Sequence, residues 1–266
     1  MGRVYLVGAG PGAPDLLTLR AARILAEADI VLHDALVHPD TLALATRAER
    51  VPVGKRCGAH SSAQRFINKR LVDAAHKHAV VVRLKGGDPM LFGRAQEEID
   101  ALKAAGIAFE VVPGITAALA ASAQLGASLS RRGVARTVAF VTPRIGAEEN
   151  GSDWAAAALA ADTVAIYMGA GQADAIAQTL IARGRRADTP VAVVRDASLP
   201  GSTARIGALG DLAALCAIAA DRGAEASAGP AVILLGEALR SVVLTQSGDE
   251  PLTEARAPVR RAQLTG

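Results

Sequence analysis

Two glycine-bearing loops carry the residue types and spacings that point to chemistry. The first reads Gly8-Ala9-Gly10-Pro11-Gly12-Ala13-Pro14-Asp15 and directly follows an apolar run. Gly8, Gly10 and Ala13 fall at the loose G-x-G-x-x-A spacing of a dinucleotide site, and Asp29 or Asp34 offers a downstream carboxylate for a ribose. That reading needs a helix to begin inside the glycine loop, with its N-terminus facing a pyrophosphate. Pro11 and Pro14 postpone the helix to Asp15, which weighs against an NAD(P)-dependent oxidoreductase and describes a longer, stiffer turn. The second loop, within Val82-Arg83-Leu84-Lys85-Gly86-Gly87-Asp88-Pro89-Met90-Leu91-Phe92-Gly93-Arg94, follows a strand and precedes a helix. It therefore lies at the carboxyl edge of a sheet, where open α/β folds bind ligands. Gly86 and Gly87 leave backbone groups open to close approach. Asp88 suits an ammonium or hydroxyl partner and equally suits a cap on the next helix; both readings stay open.

The elements that must position these loops alternate. Apolar, β-branched runs at 4–7, 30–32, 51–53, 80–84 and 109–112 read as strands, the third weakened by Pro52. Between them, helical spacing predicts helices from Asp15 onward, over 61–78 and over 95–105. A second series has strands at 137–141, 163–167, 191–194 and 231–235, and helices at 154–160, 173–182 and 209–220. The fold class is therefore α/β, two α/β domains with mostly parallel sheets and helices packed on them. The aperiodic segment 126–135 sets the boundary: an N-terminal domain over 1–133, a C-terminal domain over 134–246, and a polar mobile tail over 247–266.

Composition narrows the class. Of 266 residues 51% are apolar but only 3% aromatic, so Ala, Val, Leu and Ile must build the core. The 29 basic and 26 acidic side chains are too evenly balanced to argue for nucleic acid. Cys57 and Cys216 form no CxxC pair, which excludes a zinc ribbon or disulfide framework and points to a reducing compartment. No run reaches the length of a membrane span, and the first residues lack the pattern of a secretory signal, so a cytoplasmic protein is expected.

At the level of longer motifs the chain resembles the uroporphyrinogen-III C-methyltransferases of the tetrapyrrole methyltransferase family. The resemblance rests on VGAGPG (7–12), DLLTLRA (15–21), ADIVLHDALV (28–37), VGKR (53–56), LKGGDPMLFGR (84–94), VVPGITAALAA (111–121), IYMG (166–169) and GPAVILLG (229–236), in the family's order and spacing. It implies a homodimer whose subunits hold S-adenosylmethionine in the cleft between two domains, releasing S-adenosylhomocysteine, with no metal. It implies cofactor contacts at Pro11, Gly86, Gly87, Asp88, Leu91, Thr116, Ala117, Met168 and Ala197. Without it, Met168 reads as ordinary core packing and Thr116 as a helix cap. The implied reaction is C-methylation of uroporphyrinogen III at C-2 and C-7, giving precorrin-2 by way of precorrin-1, for siroheme, cobalamin or heme d1 synthesis.

In such a reaction an electron-rich ring carbon attacks the methyl group in line, so the protein chiefly orients two reactants and manages one proton. Eight substrate carboxylates call for arginine forks, and Arg56, Arg94, Arg131 and Arg132 are candidates. The resemblance favours Arg94 and Arg132 for substrate, joined by Met168 and by Glu97, which can orient Arg94 or bind a pyrrole N–H. It assigns Asp34 as proton acceptor and Lys55 as proton donor, and places Arg94 with them at the reacting centre. Three departures stand out: Ala13 replaces an acidic residue, Leu129-Ser130-Arg131-Arg132-Gly133 replaces the usual LTHRD, and Ala95 replaces the glycine of FGRG. The first two leave open a methyltransferase for another tetrapyrrole, or a cofactor-binding homologue without turnover.

Overall fold

Short β-branched runs ended by glycine or polar residues form ten strands in two five-stranded sheets. A computed structural model describes residues 2–53, 61–145, 151–217 and 229–242. In the first sheet β1 (Arg3–Gly8), β2 (Ile30–His33), β3 (Glu49–Pro52), β4 (Val80–Lys85) and β5 (Phe109–Val112) are ordered β3-β2-β4-β1-β5, and every pairing is parallel. The connections leaving β1 and β4 run in opposite directions across the sheet, which opens a crevice at the carboxyl ends of those strands.

Helices cover both faces. From α1 (Leu19–Glu27), Ala21, Ile24 and Leu25 pack with Val7, Val31, Val82 and Leu84 on one face. From α3 (Ser61–Lys77) and α4 (Ala95–Ala104), Leu71, Ala75, Ile99 and Leu102 pack with Val4, Leu6, Leu32 and Val81 on the other. Each fully buried Leu, Ile or Val contributes about 1.5–3 kcal/mol, so these two clusters fix the sheet against its helices. The single-turn α2 (Pro39–Ala43) follows β2.

The second sheet contains β6 (Val138–Val141), β7 (Thr163–Tyr167), β8 (Pro190–Arg195), β9 (Thr203–Ala208) and β10 (Ala231–Gly236), ordered β6-β7-β10-β8-β9. Its outer face is covered by α6 (Trp154–Ala160), α7 (Ala173–Ala182) and α8 (Leu212–Ala217). Its inner face receives α5 (Ala117–Leu125), whose Ala118, Ala120 and Ala121 pack on Ala165, Val194, Val232 and Leu234. Thus α5 precedes the expected 133/134 boundary in the chain but joins the core of the second sheet.

The α/β class and the two sheets agree with the sequence, with three corrections. Only β6 and β7 pair in parallel in the second sheet; β10 runs antiparallel to both neighbours, and β8 and β9 form an antiparallel pair. The parallel register of β7 and β8 is interrupted because β10 inserts between them, a choice invisible to local periodicity. β9 was not expected, since Thr-Ala-Arg-Ile-Gly-Ala is neither strongly apolar nor ended by a clear turn. Lastly, Asp15 does not start the first helix. Pro14–Leu16 makes one 3-10 turn, and α1 starts after Thr18, whose side chain accepts from Ala21 N at 3.1 Å. The expected tail at 247–266 lies outside the described residues.

Candidate functional site

Three backbone loops meet at the carboxyl ends of β1, β4 and β5, because those strands are neighbours. Gly10 and Gly87 exchange backbone hydrogen bonds, Gly10 N to Gly87 O at 3.2 Å and Gly87 N to Gly10 O at 2.7 Å. Gly8 and Gly114 lie backbone against backbone: a Cβ on Gly8 would sit 2.6 Å from Gly114 Cα, and one on Gly114 would overlap Gly87 O. Gly87 also has φ +68°, a conformation that side-chain-bearing residues rarely adopt. The result is a ridge of closely packed peptide backbone free of side chains.

Asp88 locks this ridge. One carboxylate oxygen accepts from Met90 N at 2.8 Å and the other from Gly114 N at 2.9 Å. It thus braces the second loop against the third, and each oxygen keeps a lone pair for a further donor. The bracing reading and the ligand reading of Asp88 are compatible.

Loops of the second sheet close on the same place. Ser198 Oγ accepts from Ala13 N at 3.1 Å, and a Cβ on Gly12 would lie 2.8 Å from Leu199 Cγ, so the segment holding Ala197 lies on the loop holding Pro11. The Tyr167 hydroxyl pairs with Thr116 Oγ1 at 2.6 Å and accepts from Ala118 N at 3.1 Å. It therefore caps α5, a duty the Thr116 side chain does not perform on its own helix. Burial raises the Tyr167 pKa, a rise its two hydrogen bonds only partly oppose. At the crevice the Pro11 loop thus meets the Ala197 segment, and the start of α5 at Thr116 and Ala117 meets Tyr167, which precedes Met168. Leu91 is held in the second loop with Gly86, Gly87 and Asp88 by Leu91 N donating to Asp88 O at 3.3 Å.

Five non-glycine residues adopt positive φ: Phe92 (53°), Arg94 (55°), Met168 (55°), Asp196 (49°) and Ser198 (76°). All five lie in loops after β4, β7 or β8. Clustered backbone strain of this kind marks functional sites, since packing elsewhere must hold it.

Asp34 stands at the end of β2, partly exposed, and its Oδ1 accepts from the Arg83 guanidinium. Arg83 is almost wholly buried, and its Nε donates to Glu98 Oε1 at 2.9 Å. Lys85, two residues on and hence on the same strand face, donates to both oxygens of Glu98 at 2.9 and 3.0 Å. Two carboxylates and two cations thus form a neutral ladder from the core to the opening. Burial works against the Arg83 charge, but Asp34 and Glu98 outweigh it and raise its pKa. For Lys85, burial and then Arg83 prevail, and its pKa is lowered despite Glu98.

Arg94 occupies the N-terminal boundary position of α4 without a side-chain cap and pairs bidentately with Glu97, Nε to Oε1 at 2.6 Å and Nη2 to Oε2 at 2.8 Å, so Glu97 does orient that guanidinium. Arg132 lies exposed in the turn 131–135 ahead of β6. Lys55 and Arg56 lie outside the described residues. Both carboxylates of the dinucleotide alternative are engaged elsewhere: Asp29 Oδ2 accepts from Ala79 N and Val80 N at 3.0 and 2.8 Å, tying two strand starts together, and Asp34 pairs with Arg83.

Sequence reasoning missed Arg83, Lys85, Glu98, Tyr167 and Ser198. A signal existed for the first three: charges at alternate positions of a buried strand, and a glutamate on the apolar face of the next helix, require one another.

The family described as Tetrapyrrole (Corrin/Porphyrin) Methylases matches residues 3–213. Siroheme synthase of Zymomonas mobilis is 46% identical over 237 residues, 89% of this chain and 49% of that protein. Siroheme synthase 1 of Yersinia pseudotuberculosis is 44% identical over 257 residues, 96% of this chain and 53% of that protein. The chain spans about half the length of the curated relatives it matches. Among solved structures, uroporphyrin-III C-methyl transferase from Thermus thermophilus complexed with S-adenyl homocysteine has a TM-score of 0.74 at 40% identity, covering 90% of this chain and 100% of that one. A cobalt precorrin-4 methyltransferase has a TM-score of 0.76 at 29% identity, covering 89% and 95%.

Proposed function

This chain belongs to the tetrapyrrole (corrin/porphyrin) methylase family, and from that premise we propose that it methylates uroporphyrinogen III twice, at C-2 and C-7, to give precorrin-2 by way of precorrin-1. The observation that carries the reading is the convergence of three glycine loops with the strained Met168 and Ser198 segments on one opening. When bound there, S-adenosylmethionine supplies an electrophilic methyl group on a sulfonium. The site fits such a donor: a Cβ on Gly86 would meet only Leu36 Cβ, at 3.4 Å, so a ligand can approach that backbone closely. Leu91, Ala117, Ala197 and the polarizable Met168 supply apolar walls.

The ring carbon forms a bond to the methyl carbon, the sulfur–carbon bond breaks, and one proton leaves the ring. Asp34 accepts that proton; Arg83 holds its carboxylate at the mouth of the opening. Arg94, aimed by Glu97, and Arg132 receive substrate carboxylates. Because the chemistry is a displacement between two bound reactants, orientation supplies most of the acceleration. The working unit is proposed to be a homodimer.

The test is anaerobic incubation of the protein with uroporphyrinogen III and S-adenosylmethionine, following product mass and absorbance. A gain of two methyl groups is the expected result. Binding of S-adenosylhomocysteine without methyl gain would sink the substrate assignment. The likeness to a cobalt precorrin-4 methyltransferase would then direct the search to later corrin-ring intermediates.

A further inference from the structure

The chain has seven aromatic residues in all, four Phe, two Tyr and one Trp. Three of them meet at the opening. The Phe92 and Tyr167 ring centroids are 5.2 Å apart at 52°, and those of Phe140 and Tyr167 are 6.2 Å apart at 71°. Core packing does not account for the group, since Phe92 remains 39% and Phe140 38% exposed, and the adjacent Met168 43%. Nor is the placement of Phe92 relaxed, because a bulky side chain at φ +53° is held there against its backbone preference. The group also bridges the two sheets, for Phe92 follows β4 while Tyr167 and Phe140 belong to β7 and β6.

Tyr167 does two separable things. Its hydroxyl caps α5 at Thr116 and Ala118, on the side proposed for the methyl donor. Its ring anchors the two phenylalanines. Two residues on from Phe92 in the same loop, Arg94 carries a guanidinium held by Glu97. A porphyrinogen has the complementary pattern, with electron-rich pyrrole rings inside a rim of carboxylates. Tilted pyrroles meet tilted aromatic side chains edge to face, the arrangement that aromatic quadrupoles favour.

We infer that Phe92, Tyr167 and Phe140 form a specificity-determining aromatic face that receives pyrrole rings of the substrate, while the Tyr167 hydroxyl independently positions the donor side. The inference rests on the tetrapyrrole reading above, and its test separates the two. Phe140→Ala removes one ring. Phe92→Asn removes another and puts a residue tolerant of positive φ in its place, so relief of strain is not confused with loss of the ring. Both should raise KM for uroporphyrinogen III about tenfold. Calorimetric affinity for S-adenosylhomocysteine should stay within about twofold, which also reports that the variants are folded. Tyr167→Phe should do the reverse, weakening S-adenosylhomocysteine about tenfold and leaving KM for the tetrapyrrole within about twofold. If Phe140→Ala fails to fold, Phe140→Leu keeps the bulk without the ring and should show the same KM effect.

Wild-type protein that neither binds nor methylates uroporphyrinogen III overturns the substrate reading and the aromatic face with it. Wild-type turnover with unchanged KM in Phe92→Asn and Phe140→Ala overturns the face alone. An unchanged KM accompanied by a change in oligomeric state assigns these rings to contact between copies of the chain, and likewise overturns it.

Discussion

Asp29, just before β2, ties down the backbone at the start of β4, and Asp162, just before β7, does the same for Arg136 and Thr137 ahead of β6. Each aspartate closes the amino end of a parallel strand pair, where unpaired N–H groups would otherwise face outward. Beyond that shared device the two sheets diverge. The first buries Arg83, Lys85 and Glu98 against its helices, whereas the buried polar side chains beside the second, among the described residues, are the uncharged Thr116, Thr163 and Thr189. Burying charge is unfavourable unless every charge is paired. The first sheet carries that cost next to Asp34 and the strained second loop, and the second sheet provides an apolar scaffold for the loops that close over them. The difference teaches that polar groups deep in a core can serve the site above them rather than the stability of the core.

The sharpest way to break this comparison is Glu98→Gln. It leaves Arg83 and Lys85 as buried cations facing only Asp34, and should lower unfolding free energy by about 3–5 kcal/mol in a urea titration. In the second sheet, Ile233→Val, equally buried, should lose only about 0.5–1.5 kcal/mol. Equal losses would erase the distinction between the sheets. Replacing the whole cluster, as Arg83→Met with Lys85→Met and Glu98→Leu, should return stability to within about 1 kcal/mol of the wild type or above it. Methyl transfer should nevertheless collapse, because Asp34 has then lost the guanidinium that holds it. Restored stability with full turnover would show that the ladder is only structural.

Smaller effects sharpen the picture of the strand and helix ends. Thr18→Ala should cost about 1 kcal/mol by removing the α1 cap, confirming that α1 starts there and not at Asp15. Asp162→Asn tests the aspartate tie through pH. Hydrogen bonds from Arg136 and Thr137 hold the Asp162 carboxyl below its ordinary value of 3.8. The folded state therefore binds this proton less readily than the unfolded chain, so the contribution is present above 3.8 and is lost as pH falls through the lower folded value. The urea midpoints of wild type and Asp162→Asn should differ at neutral pH and converge in acid. A difference that persists unchanged in acid would remove the carboxylate from the account.

Much of the architecture was legible locally. The runs at 163–167 and 173–182 coincide with β7 and α7, and 154–160 with α6, since a strand or helix announces itself through the period of its own apolar residues. Gly86, Gly87 and Asp88 were recognisable as a loop at the carboxyl edge of the sheet because strand, glycines and helix follow one another directly. The partner of Asp88 was not: Gly114 is far along the chain, and only the adjacency of β4, β1 and β5 brings its N–H within reach.

By itself, then, the sequence determined the alternation of strands and helices, the glycine loops and the family motifs, all properties of contiguous residues. Tertiary structure alone decided that β10 would insert antiparallel between β7 and β8, that Arg83 and Lys85 would share Glu98, and that a hydroxyl from β7 would cap α5. Such choices depend on which distant segments meet once loops close, and on the requirement that buried charges and helix ends find partners wherever the chain places them.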